Sequence, residues 1–234
     1  MWMKAGRRLV VAACIVGLAS ISACNSSPPE ATSPTGEVST SAPSGVSEEE
    51  LRAWVEAAQL SPDVVGADKP IDEQTGVIGW FGICNEDLTM PVQQVYGHYA
   101  RWSGSVIDYL EHGVYAYDGR GTEMVAAVRA AAQQCESYDV TDAYATARNT
   151  IDGEYQLAKP SGIDAVYAVC ELSESIAPEE RVGEQGYRCS AVLSRGQLAA
   201  TALVFGPSLE SAQSKVETAA SMVAPALVDA VPTM

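Results

Sequence analysis

The chain has only two histidines, His98 and His112, and its fourteen basic residues are outnumbered by thirty acidic ones. Neither histidine falls in the His-x-x-x-His or Glu-x-x-His spacing that puts metal ligands on one helix face, so no such site is expected. Both are read as surface or polar-rim residues. There is no Gly-x-Ser-x-Gly elbow, glycine-rich phosphate loop or Walker-type lysine, and so no signature of a serine hydrolase or nucleotide-binding enzyme. Cys-x-x-Cys zinc spacing and the Asp-x-Asp-x-Asp-Gly calcium pattern are missing too. No metal or cofactor is therefore expected. Glu174, Glu179, Glu180 and Glu184 crowd one acidic segment and are read as a solvated face. The apolar run at residues 9–21 has thirteen residues, whereas a bilayer-spanning helix needs roughly 20.

What is present begins with that run. Lys4, Arg7 and Arg8 precede it and Ser22, Ala23 and Cys24 follow it, the layout of an export signal. "ISAC", residues 21–24, resembles the bacterial lipobox, a branched aliphatic residue and two small ones before a cysteine. The resemblance implies cleavage before Cys24 and acylation of that residue, with residues 1–23 as the lipoprotein signal peptide. Buried acyl chains contribute about 0.8 kcal/mol per CH₂, and two or more give stable anchoring. The expected protein is held to the membrane through Cys24 and has a soluble body on the extracytoplasmic side. Its mature chain keeps eleven basic and all thirty acidic residues, a net charge of −19. Such a charge disfavours nucleic acid and anionic lipid head groups as partners.

The stretch at residues 25–46, "NSSPPEATSPTGEVSTSAPSGV", is rich in Ser, Thr and Pro and has no apolar period, so residues 24–46 are expected to form a disordered tether. A flexible chain of that length spans about 25 Å. Residues 47–234 make the folded domain. Without Cys14 and Cys24 the mature body keeps Cys84, Cys135, Cys170 and Cys189, an even number suited to two disulfides in an oxidising compartment. Three connectivities are open.

Ser47 and Glu50 form a capping box ahead of Leu51, Trp54, Val55 and Ala58 at helical spacing. Ser61 precedes Pro62, which ends that helix. A loop rich in Gly and Asp is expected to lead to "VIGWFGIC". Val114, Ala116 and Tyr115, Tyr117 alternate as in a strand, and Met124, Val125, Val128, Ala131, Ala132 and Cys135 follow at helical spacing. "DAVYAVCEL" and "YRCSAVLS" alternate as strands, joined by the acidic loop "SESIAPEERVGEQG", so a cross-strand bridge is the simplest geometry for Cys170 and Cys189. A tight turn at Arg195 and Gly196 leads to a third strand. A long helix then starts near Ser208, with Pro225 expected to kink or end it.

This order of features resembles the extracytoplasmic sensor-like domains of actinobacteria, the PknH-type kinase sensor domain and its lipoprotein relatives. The residues that carry the likeness are "LSPDVVG", Cys84 followed by Pro91, "ARWSG", "VYAY", "MVAAVRAAAQQCESY" and "YRCSAVLSRGQLAATA". The resemblance implies an α+β fold, a twisted and mostly antiparallel sheet with helices packed on it, and a cleft for a ligand. It also implies two disulfides, one tying Cys135 to Cys84. Where relatives can place a cysteine after the last strand, this chain has Gly206, and Cys170 takes the partner's role. No kinase domain is present.

Eight aromatic residues (Trp80, Phe81, Tyr96, Tyr99, Trp102, Tyr109, Tyr115 and Tyr117) fall within 38 residues, mostly as core. The remainder could line a cleft, since Tyr and Trp join an apolar face to a polar edge suited to sugar or lipid. Arg101, Trp102, Tyr115 and Tyr117 are the candidate ligand-binding residues, with Arg101 for an anionic group. The expected function is a non-catalytic, ligand-binding or sensor-like lipoprotein for a small envelope molecule. The alternative is a structural component of the envelope that engages an exported protein.

Overall fold

In the computed structural model, which describes residues 45–78, 91–141 and 145–232, helix α1 (Glu48–Ala57) begins where the capping box places it. The Ser47 backbone N–H donates to Glu50 Oε2 at 2.8 Å, and the Glu50 N–H donates back to Ser47 Oγ at 3.3 Å. Two N–H groups that a helix start leaves without partners are thus satisfied, and Glu48, Glu49 and Glu50 meet the positive end of the helix dipole. Leu51 and Val55 are buried on its inner face. Ser61 is extended, and Pro62 opens a single turn, α2 (Pro62–Val65).

Where a Gly/Asp loop was expected, the chain forms strand β1 (Asp72–Gly76). None of its residues is buried, so it carries no apolar alternation. Its place comes from antiparallel pairing with β2 (Gln94–Trp102). Next come β3 (Leu110–Tyr117), α3 (Gly121–Gln134), β4 (Ser137–Thr141) and β5 (Thr146–Glu154), then β6 (Ala165–Ala177), β7 (Gln185–Arg195), β8 (Leu198–Gly206) and α4 (Leu209–Ala230). The sheet has eight strands in the order β1-β2-β3-β8-β7-β6-β5-β4, and all neighbours are antiparallel. After β3, helix α3 carries the chain to the far edge, and successive strands bring it back to β3. The fold is α+β.

Much of the expected acidic loop is strand. β6 runs to Ala177, leaving residues 178–184 as the connection to β7. The β7–β8 turn centres on Gly196 and Gln197, with Gly196 at φ 58°, a conformation glycine adopts without penalty. Pro225 does not end the last helix, which continues to Ala230; Ser208 caps its start, accepting from the Ser211 N–H at 3.2 Å.

Helices α1 and α4 cover one face of the sheet and α3 covers part of the other. On the first face Ala100, Val114, Ala200, Ala202 and Leu193 meet Leu51, Val55, Val216, Val223 and Leu227, all buried. Full burial of a Val or Leu side chain contributes about 1.5–3 kcal/mol. Cys170 and Cys189 lie opposite each other on this face and are bridged across β6 and β7. A Cβ at Gly206 would lie 2.6 Å from the Ala212 backbone nitrogen, so the close approach of β8 to α4 leaves no room there for a cysteine. Cys135 caps the end of α3 and is disulfide-bonded. Cys84, its expected partner, lies outside the described residues, as do Cys24, Trp80 and Phe81.

His98 and His112 are not at the surface. They point to the face beneath α1, 2 % and 1 % exposed, because His98 pairs with Val114 and His112 with Ala100 in the core register.

Candidate functional site

Along β6 the face that packs on α3 begins as Tyr167 and Val169 and continues as Glu171, Ser173 and Ser175. Apolar residues thus give way to polar ones within one strand, and α3 packs over the apolar part. The polar part floors a cleft of about 380 Å³ between the ends of β5, β6 and β7 and the 178–184 connection. Small-molecule sites typically occupy about 300–1,000 Å³.

Two cross-strand rows build this floor. Asn149 of β5 pairs with Tyr138 of β4 and with Ser173 of β6, which pairs with Gly186 of β7. Beside them Ile151 pairs with Glu171, Glu171 with Arg188, and Arg188 with Phe205 of β8.

Glu171 is 1 % exposed, and Arg188 satisfies it. Arg188 Nε donates to Glu171 Oε2 at 2.5 Å, and its Nη2 lies 2.5 Å from the same oxygen. The Tyr138 hydroxyl donates to Glu171 Oε1 at 2.8 Å and accepts from Arg188 Nη2. A buried carboxylate is tolerated only when its charge and lone pairs are met in this way. The arginine turns one edge to Glu171 and lines the cleft. At the rim Arg181 pairs with Glu184 at 2.9 Å, and the Phe205 ring meets Tyr109 edge-on, centroids 5.2 Å apart.

The four residues expected to bind ligand do not converge. Successive strand residues face opposite ways, so Trp102 points beneath α1 and α4 while Arg101 points to the cleft-bearing face. Arg101 sits on β2 beside the edge strand β1, half-exposed and 3.8 Å from Asp72, and does not line the cleft. Tyr115 and Tyr117 are fully buried under α3, and burial pushes both phenols well above their ordinary pKa, keeping them neutral core residues. Tyr99 and Tyr109 are raised likewise, by burial first and then by Glu111.

Sequence reasoning misses Glu171, Arg188, Tyr138 and Asn149. A signal for two of them is there to be read. Once Cys170 and Cys189 are bridged across antiparallel strands, their neighbours Glu171 and Arg188 must also face each other, on the opposite side of the sheet.

A second hollow of about 750 Å³ runs between α4 and residues 157–161. Leu157, Pro160, Ala224 and Val228 make it mainly apolar, and Glu217 on its edge is held by the Tyr155 hydroxyl.

No family model and no curated protein matches the chain. Among solved structures it is similar to the extracellular domain of PknH from Mycobacterium tuberculosis. The sequence identity is 15 % and the TM-score 0.44, with 79 % of this chain and 95 % of that chain covered.

Proposed function

We propose that this chain is an extracytoplasmic lipoprotein, anchored through Cys24, whose α+β domain binds a small envelope molecule without transforming it. The cleft over the polar half of β6 and β7 carries the reading, because buried, paired polar groups open there onto a space of ligand size. Support for a non-catalytic role comes from the histidines. Both are sealed under α1 on the opposite face of the sheet, so neither reaches the cleft as an acid or base. No helix among the described residues is long and apolar enough to cross a membrane.

Native mass spectrometry of the full chain extracted from its membrane tests the binding. A copurifying small molecule is expected; a reproducible protein partner with no small molecule would sink the reading. Fractionation tests the anchor: Cys24→Ala should move the protein out of the membrane fraction, and unchanged membrane association would refute lipidation. A second reading, a protein-interaction component, is favoured by one surface feature. Val64 and Val106, 43 % and 53 % exposed, belong to two segments joined where the Val106 N–H meets the Val65 carbonyl.

A further inference from the structure

The charges around the cleft narrow what it can hold. Arg188 is neutralised by Glu171 beneath it and Arg181 by Glu184 at the rim, so each charged group has its counter-charge in place. An anion would have to share Arg188 with a carboxylate buried too deeply to swing away, and a cation would meet the same obstacle at Glu171. Neutral donors and acceptors remain open. The Asn149 side chain is 3 % exposed, lines the cleft and makes no hydrogen bond among the described residues, although an amide offers two donors and an acceptor. Arg188 Nη1 likewise has no partner among the described residues. Among the described residues Ser175 Oγ reaches only the Ala177 carbonyl, at 3.5 Å.

The shape agrees with that chemistry. Gly186 leaves a gap in the Asn149–Ser173 row, and a Cβ there would meet only the Gly206 carbonyl, at 3.5 Å. The rim carries the Phe205 ring, 38 % exposed and braced by Tyr109. An apolar ring beside planar amide and guanidinium groups suits a molecule with C–H faces and hydroxyl edges.

We propose that the cleft binds an uncharged polyhydroxylated ligand, a sugar of one or two rings. Hydroxyls bond to Asn149, Ser175 and the free edge of Arg188, and a ring face rests on Phe205. This rests on the cleft being the ligand site.

Saturation-transfer NMR on the full chain tests it with glucose, N-acetylglucosamine and trehalose as neutral probes and glucose 6-phosphate and glucuronate as charged matches. Neutral sugars should bind, and Gly186→Leu, which fills the gap, should weaken them at least tenfold while the circular dichroism stays native. If that variant misfolds, Asn149→Leu serves in its place. Tighter binding of the charged matches, lost in Gly186→Leu, would overturn the ligand class and leave the cleft reading standing. Sugar binding that survives both substitutions places the ligand elsewhere and overturns both. If none of the probes binds, the sugar proposal falls, and native mass spectrometry alone decides the cleft.

Discussion

On the face beneath α1, His98 and His112 are buried among apolar side chains, and both ring nitrogens of His112 and Nδ1 of His98 have no hydrogen-bond partner among the described residues. On the opposite face Glu171 is buried to the same degree, yet both of its oxygens are bonded to Arg188 or Tyr138. The two regions handle buried polarity by different means. His112 sheds its charge, burial pushing its pKa down to about 3, and so tolerates missing partners. Glu171 and Arg188 are held together as a pair, so the second site keeps its charges and needs every contact. The site built this way is the one that opens to a cleft. Conversely, His98 keeps one link to the surface, donating from Nε2 to Glu73 Oε1 at 2.7 Å, which fastens the edge strand β1.

The largest effect expected from this contrast is at Glu171. Glu171→Ala strands the Arg188 guanidinium, 14 % exposed, and removing one partner of a buried pair costs about 3–5 kcal/mol. The double substitution Glu171→Met with Arg188→Met removes both charges and should cost much less than the single change. Urea unfolding measures both. A single variant less than about 1 kcal/mol destabilised would show that the pair is not desolvated.

Acid should act on the other face. Burial first, and the nearby His98 second, push the His112 pKa down to about 3, from about 6.5 in an unfolded chain. Between those values the unfolded chain takes up a proton that the folded chain refuses. Stability is therefore full above the unfolded value and falls as pH drops, by about 1.4 kcal/mol per pH unit for one such group. At pH 5 the loss should be about 2 kcal/mol, read from urea midpoints across pH. A flat profile from pH 7 to 5 would mean that His112 is hydrated or paired.

Elements with strong local signals are legible in the sequence. The capping box at Ser47, the alternation around Cys189 and the long stripe of α4 each follow from residues close together along the chain. β1, β4 and most of β5 are not legible, because they sit at or beside the sheet edges, carry few buried residues and owe their conformation to long-range pairing. Ser173 and Ser175 fall in the expected acidic loop for a related reason: the face they occupy is lined by a cleft instead of a helix, so the apolar period stops while the strand continues. The site is hidden by the feature that makes it a site. The histidines are another matter, since His98, Ala100 and Trp102 alternate with the same period as His112, Val114 and Ala116, and that phase points inward.

The smallest effect sharpens the contrast most. His112→Leu removes a ring whose two nitrogens have no partner among the described residues, and replacing an unsatisfied polar group by an apolar one of similar size is close to neutral or stabilising. Stability at pH 7 should stay within about 1 kcal/mol of the parent, and the acid slope between pH 6.5 and 5 should flatten. His98→Leu should differ, because it releases Glu73 from the edge strand. Glu73 is half-exposed and regains water, so the cost is small, but β1 should exchange its amide hydrogens faster while β3 does not. If instead His112→Leu costs as much as Glu171→Ala, then the histidine has a partner that matters, and the two faces bury their polar groups by the same rule.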